Sequence, residues 1–105
     1  MTVKQFVTAL RAVEATGHKP ALRDGRIRFC DARGNHGHCP LNAVNRFKHR
    51  LGHGGADAHA LGLTDKAAWA IIVAADFATL TSLRHRVIRA AMLNALGLME
   101  KPDEA

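Results

Sequence analysis

The residues best suited to chemistry lie in one stretch, RIRFCDARGNHGHCPLNAV at residues 26–44. It holds both cysteines of the chain, two histidines two positions apart, and a proline that can open a helix. Three interpretations compete: a metal site built from thiols and imidazoles, a disulfide, and a β-hairpin that leads into a helix. The strand register decides among them, because side chains on opposite faces cannot meet.

Two registers are compatible with this stretch. A two-residue turn at residues 34–35 would place Cys30 opposite Cys39, within reach of a disulfide. A type I turn over residues 31–34 would instead pair Ile27 with Cys39. The second register is favoured because the first sends polar residues onto the apolar face. It directs Ile27, Phe29 and Cys39 inward and Arg28, Cys30, His36 and His38 outward.

This register favours a plain hairpin with one buried and one surface thiol, both reduced. The spacing C-x5-H-x-H-C also lacks the C-x2-C pairs typical of structural zinc sites. An outward trio of Cys30, His36 and His38 is the alternative metal site. We expect no metal and no cofactor.

The sequence offers little for catalysis. Cys39 precedes Pro40 at a predicted helix start, where the helix dipole favours a thiolate, but no His or Asn partner is predicted on its face. The chain has no G-x-S-x-G, P-loop or G-x-G-x-x-G motif, and its nine acids form no evident carboxylate pair. His49 and His53 are interpreted as surface residues at a helix end. We therefore expect a protein that is not an enzyme.

The elements that must position these residues follow from capping and turn signals. Thr2 with Gln5 fits a capping box, Gly17 a helix stop, and Asp24-Gly25 a type I′ hairpin turn. Further helices are predicted from Pro40, over residues 56–63, after Thr64, and from Thr79 or Thr81 to Gly97. The fold class is therefore α+β: an N-terminal helix, a small antiparallel three-stranded meander, then three to four packed helices. Residues 1–98 are expected to form a single compact domain, with a frayed charged tail at 99–105.

Apolar spacing predicts which faces of the last two helices are buried. Ala68, Trp69, Ile72 and Ala75 are expected to form the buried stripe of one helix. Leu83, Val87, Ala91 and Leu96 are expected to point inward from the other.

The net charge of +6 is unevenly distributed. Residues 1–50 carry ten Lys and Arg against three acids, a net +7, whereas residues 51–105 carry five against six, a net −1. A basic half indicates an acidic partner. No apolar run is long enough to span a membrane, and the N-terminus has helical periodicity rather than the pattern of a signal peptide, so a cytoplasmic location is expected.

The basic residues of the hairpin are the candidate site. The predicted turn places Arg23 opposite Arg26, with Arg28 on the same outer face. The full predicted partner-binding set is Arg23, Arg26, Arg28, His36, His38, Arg46 and Arg50. The expected partner is an acidic protein surface or a protein–nucleic acid complex. Direct contact of Arg11, Arg26, Arg28, Arg46 and Arg50 with phosphates is the alternative, weakened because Trp69 and Phe77 fall in apolar segments rather than on a stacking platform.

The layout DGRIR…CPLNAV…LGL…AAD…LR…LGL resembles small uncharacterised single-domain proteins of bacterial and phage genomes. The resemblance covers most of the chain and rests on folding motifs. Some phage proteins of this size are anti-CRISPR inhibitors, which act by occupying a surface of a Cas complex. The resemblance thus implies a non-enzymatic inhibitor, and the +6 charge distinguishes this chain from the acidic DNA mimics of that class.

Overall fold

An N-terminal helix, a β-hairpin and three further helices follow one another in the computed structural model, which confirms the predicted α+β class. The structure describes residues 1–15, 18–30, 37–49 and 61–99, with the backbone alone at residues 15 and 45–49. The elements are α1 (Val3–Ala15), β1 (Lys19–Arg23), β2 (Arg26–Cys30), α2 (Pro40–His49), α3 (Asp65–Asp76) and α4 (Leu83–Leu96).

Helix α1 begins at the predicted capping box. The Thr2 amide donates to Oε1 of Gln5 at 2.8 Å, and the Gln5 amide donates to Oγ1 of Thr2 at 3.1 Å. These two bonds satisfy amide groups that have no partner within the first helical turn. Phe6, Leu10 and Val13 form the buried face of the helix. The predicted stop at Gly17 lies outside the described residues.

The first hairpin has the predicted type I′ turn. Asp24 and Gly25 both have positive φ, at 52° and 76°, as this turn requires. Leu22 pairs with Ile27 and Arg23 with Arg26, as the two-residue turn predicts. The turn residues therefore determine which side chains of β1 and β2 share a face.

The predicted third strand is wrong: within the described residues the sheet has two strands. His38 makes only an isolated bridge, in which it exchanges backbone hydrogen bonds of 2.9 and 3.3 Å with Phe29. The chain then turns at once into α2, where the Ala43 amide already donates to the Cys39 carbonyl at 2.9 Å. Because helical hydrogen bonding begins at Cys39, the ladder has no room to extend.

The register predicted for this segment is also wrong, by one residue. Pairing Ile27 with Cys39 would set Phe29 opposite Gly37, whereas Phe29 pairs with His38. The reason is that Cys39 serves at the start of α2, where its Sγ accepts the Asn42 amide at 3.4 Å, rather than in the ladder opposite β2.

Helices α3 and α4 each begin at a side-chain cap, and α4 ends at a glycine, whereas α3 ends at Phe77 in extended backbone. Thr64 accepts the Ala67 amide at 3.1 Å, which confirms the predicted cap of α3. The cap of α4 is Ser82 rather than Thr79 or Thr81. Gly97, with φ of 66°, ends α4 as predicted, and its amide and that of Leu98 return to carbonyls of the last turn in a Schellman arrangement.

The predicted inward face of α4 is wrong except at Leu96. Leu83 is 69 % exposed and Val87 58 % exposed, and Ala91 is exposed as well. The buried residues are Ile88, Arg89, Met92 and Leu96. An arginine thus occupies the inward stripe. Compared with the predicted orientation, the helix is rotated about its own axis so that the side chain of Arg89 points into the domain.

The buried stripe of α3 also differs from the prediction. Ala68 and Ala75 are buried as expected, but Trp69 is 64 % exposed and Ile72 is only partly buried. The inward face is instead made of small residues and Ile71: the buried positions are Ala68, Ala70, Ile71, Ala74 and Ala75. An indole on this face would hold α3 away from its neighbours, whereas alanines permit close packing.

The side chain of Arg89 joins three elements and explains the rotation of α4. Its Nη1 donates to the carbonyls of Ala74 and Ala75 at 2.9 and 3.2 Å, and its Nη2 donates to the carbonyl of Gly25 at 2.6 Å. The two alanine carbonyls belong to the last turn of α3, which has no further helical amides to bond. A guanidinium at this end also compensates the negative pole of the helix dipole.

The core lies where α1, β2 and the three later helices meet. Its largest fully buried side chains are Phe6, Leu10, Ile27, Phe29, Leu41, Val44, Ile71 and Met92. Most of the predicted helix at residues 56–63 and of the predicted tail at 99–105 lies outside the described residues. Among the helices that are described, none is long and apolar enough to cross a membrane.

We predict that Arg89→Ala lowers the free energy of unfolding by about 3 kcal/mol, because three carbonyls lose charged donors in a buried place. Urea unfolding followed by circular dichroism measures this. Arg86→Ala on the exposed side of the same helix is the control and should change stability by less than about 0.5 kcal/mol. Equal stability of the two variants would contradict the role given to Arg89.

Candidate partner-binding surface

The hairpin tip presents two arginines in a fixed arrangement. Arg23 and Arg26 are direct partners across the strands β1 and β2, and both are exposed. Like charges placed opposite each other destabilise a ladder by about 0.2–1 kcal/mol. The type I′ turn between them imposes this pairing, so the local fold holds two positive charges side by side. We call Arg23 and Arg26 the hairpin pair.

The tip that carries the hairpin pair is anchored to the connection between α3 and α4. The Gly25 carbonyl accepts from Arg89, and a Cβ added at Gly25 would lie 3.0 Å from the Cβ of Ala78. Since real Cβ atoms rarely approach so closely and φ is positive here, glycine suits both the turn and the contact. The hairpin pair is thereby held on a docked turn rather than on a free loop, which lowers the entropy lost on binding.

Arg28 was predicted to share the outer face with the hairpin pair and to bind a partner; the structure shows it in an ion pair within the fold, and its contact with a partner stays a prediction. Its Nη1 lies 2.7 Å from Oδ1 of Asp76 and 2.9 Å from the carbonyl of Ile27, and its side chain is only 15 % exposed. Asp76 is the last residue of α3, where a carboxylate opposes the helix dipole. Arg28 therefore neutralises an internal charge and belongs to the fold.

The remaining members of the predicted set do not join the hairpin pair in the described structure. His38 is half-buried, and its Nδ1 lies 3.2 Å from Oδ1 of the buried Asn42. Arg46 lies in α2, where only the backbone is described, and His36 and Arg50 fall outside the described residues. The described geometry thus supports Arg23 and Arg26 as candidate contacts, and for His38 it indicates a role at the start of α2.

The two cysteines are not joined in a disulfide and are both partly buried, which corrects the prediction of one buried and one surface thiol. Cys39 is partly buried against the core, and its Sγ accepts a helical amide. Among the described residues no group of three or more His, Cys, Asp or Glu is placed to hold a metal. The alternative trio includes His36, which lies outside those residues, so the absence of metal stays a prediction.

Two kinds of exposed residue on α3 and α4 were missed from the sequence. Trp69 and Phe77 are 64 % and 57 % exposed, although both were assigned to apolar segments. Arg84 and Arg86 are exposed on the first turn and a half of α4. A signal for this arrangement does exist in the sequence, because Ile88, Met92 and Leu96 form an equally regular i, i+4, i+8 stripe that would turn Leu83 outward.

Comparison of the chain with models of protein families, with curated proteins and with solved structures finds no match in any of the three. Function must therefore be argued from the residues and their geometry.

Arg26 and Arg28, the two arginines of β2, allow a matched test of whether Arg28 stabilises the fold and Arg26 does not. Arg28→Ala should lower the free energy of unfolding by about 1–2 kcal/mol, because the partly buried Asp76 loses its partner. Arg26→Ala, on the same strand and face, should be neutral or stabilise by up to about 1 kcal/mol, since it removes the repulsion from Arg23. Urea unfolding of the two variants measures both effects. A larger loss for Arg26→Ala than for Arg28→Ala would reverse the assignment of structural and available arginines.

Proposed function

We propose that this protein is a non-enzymatic binding protein that engages an acidic macromolecular partner through its basic face, as an inhibitor from a phage or another mobile element would. An anti-CRISPR protein that occupies a surface of a Cas complex is the specific form of this proposal. The observation that carries it is the hairpin pair: two exposed arginines set directly opposite each other on an anchored turn.

The physical argument starts from the energetic cost of that arrangement. Two like charges across a ladder reduce hairpin stability, and the carboxylates or phosphates of an acidic partner would lower the penalty by adding negative charge beside them. Planar guanidinium groups also bind carboxylates and phosphates with two parallel hydrogen bonds each, which lysines do not offer. A docked turn that presents two such groups is therefore suited to recognise a pair of acidic groups on a macromolecule.

We expect Arg23→Glu with Arg26→Glu to abolish partner binding and to leave the fold intact, because both side chains are exposed. The hairpin double variant and the wild type serve as baits in extracts of the host, infected and uninfected, with captured proteins quantified by mass spectrometry. Partners of the proposed kind are retained by the wild type and lost from the variant. Binding should also weaken as salt is raised, because exposed charges are screened.

The control for this experiment changes the same number of charges elsewhere. Lys4→Glu with Lys66→Glu alters two exposed cations, on α1 and α3, and should retain the partners that the hairpin variant loses. Arg28 is left unchanged, since a carboxylate there would face Asp76 and destabilise the fold. Equal retention of every partner by the hairpin variant and the control would contradict the proposal.

Direct nucleic-acid binding is the second candidate, and one observation favours it. The exposed rings of Trp69 and Phe77 are available for base stacking, which adds about 1–3 kcal/mol per base in single-strand binders. With the hairpin pair and the other exposed cations, the surface then holds both components of a single-strand site. Their position in apolar segments of the sequence, which weakened this candidate, does not keep the two rings from solvent.

A gel shift with mixed-sequence DNA and RNA at low salt separates the two candidates. If nucleic acid is the partner, single strands should shift, Trp69→Ala should weaken binding by roughly tenfold, and the affinity should fall steeply with salt. Met99→Ala, which truncates another exposed apolar side chain, is the control. Absence of any shift at low salt would remove the nucleic-acid candidate and leave the protein partner.

A further inference from the structure

Four large apolar side chains are exposed on α3, on the residue that follows it, and on α4. They are Trp69, Phe77, Leu83 and Val87, each more than half exposed. Trp69 lies within α3, with the partly buried Val73 one turn further along, and Phe77 is the extended residue that directly follows the last turn of the helix. Leu83 and Val87 are four residues apart and therefore neighbours on α4. Exposed apolar side chains grouped in this way are typical of interaction sites.

The polar residues beside these side chains carry a single sign of charge on α4. Arg84 and Arg86 are exposed within the same turn and a half as Leu83 and Val87. No Asp or Glu occurs between Phe77 and Met99. The remaining acid of α3 near this end, Asp76, is already paired with Arg28. On α4 the apolar side chains therefore lie beside positive charge that no acid of that helix compensates, whereas on α3 the exposed Asp65 and Lys66 of the first turn precede Trp69.

We propose that Trp69, Phe77, Leu83, Arg84, Arg86 and Val87 form one surface, the α3–α4 face, and that this surface docks an acidic amphipathic helix of another protein. An apolar stripe on such a helix would cover the exposed side chains, and its Glu and Asp residues would meet Arg84 and Arg86. Trp69 is the natural anchor, because tryptophan and arginine dominate the energetics of protein interfaces. This inference goes beyond the proposed function, since the face shares no residue with the hairpin pair.

Charge argues against a second copy of this chain as the occupant. A two-fold interface places the same patch on both partners, so Arg84 and Arg86 of each copy would approach those of the other. That arrangement adds repulsion, whereas an acidic helix adds attraction. The chain as a whole carries +6, which opposes self-association further.

The composition of the face also favours a protein over a nucleic acid. Leu83 and Val87 have no aromatic face on which a base can stack, and they are two of the four large apolar residues of the α3–α4 face. Aliphatic side chains beside arginines instead match the apolar centre and charged rim of a protein interface. Burial of Leu83 and Val87 against an apolar stripe would make the free energy of docking more favourable.

Synthetic peptides test the inference on the full chain. Three tryptophan-free, fluorescein-labelled peptides of about 18 residues carry an apolar i, i+3, i+4, i+7 stripe with an acidic polar face, the same stripe with a basic polar face, or the acidic composition in scrambled order. Fluorescence anisotropy should show that the acidic amphipathic peptide binds at least roughly tenfold more tightly than the other two. Because Trp69 is the single tryptophan, an unlabelled acidic peptide should also shift its emission to shorter wavelength.

Substitutions inside and outside the α3–α4 face test whether the acidic peptide binds there. Leu83→Ser with Val87→Ser should weaken the acidic peptide by at least roughly tenfold without unfolding the protein, because both side chains are exposed. Met99→Ser, an exposed apolar residue outside the face, should leave the affinity unchanged. The hairpin variant Arg23→Glu/Arg26→Glu should still bind at physiological salt, which separates this inference from the proposed function.

Three results would overturn the inference. The first is equal binding of the acidic and basic peptides, or no loss in the Leu83→Ser/Val87→Ser variant. The second is a dimer detected by light scattering that this variant dissociates, which would make a second copy the occupant. The third is displacement of the acidic peptide by single-stranded DNA, which would assign the face to nucleic acid.

Discussion

The guanidinium of Arg89 is the interaction on which the rest of this structure depends. It is 4 % exposed and donates to carbonyls from the last turn of α3 and from the hairpin turn. A cation removed from water is stable only where hydrogen bonds replace its hydration, so its acceptors must be held in place. The position of α4, the end of α3 and the docking of the hairpin are therefore mutually constrained at one point.

The burial of Arg89 has a direct consequence on the opposite side of α4. With Arg89, Ile88 and Met92 directed inward, the helical period turns Leu83 and Val87 toward solvent. On α3 the alanines that approach α4 are inward, and Trp69 is left outside. These apolar residues are thus exposed because other residues of the same two helices fill the interior. Exposed apolar side chains of this kind are typical of interaction sites.

Besides Arg89, a second arginine from a different element contacts the carboxyl end of α3. Arg28 from β2 pairs with Asp76, while Arg89 from α4 covers the carbonyls one and two residues earlier. Both compensate negative charge at the same helix end. Of the arginines that line one face of the hairpin, the one beside α3 is used by the fold, and the two at the tip remain exposed. Proximity to α3, rather than residue type, determines that Arg28 is the one paired with Asp76.

The sequence by itself determined the local features, because each depends on residues close together in the chain. The Thr2–Gln5 capping box, the Asp24-Gly25 turn with its Arg23–Arg26 pair, the Thr64 cap and the Gly97 stop are all readable from side-chain chemistry within a few positions. The α+β class and the concentration of positive charge in the first half follow in the same way. The location of the hairpin pair was therefore predictable.

Only the tertiary structure decided which faces are buried and which charges are available. Two apolar stripes on α4 are equally regular, and the choice between them depends on carbonyls of Ala74, Ala75 and Gly25 that lie far away in sequence. The commitment of Arg28 depends likewise on Asp76, 48 residues further along the chain. The lost third strand depends on helical bonding that starts at Cys39. Hydrogen bonds and ion pairs between distant segments leave no periodic signal in the sequence, which is why these features required the folded chain.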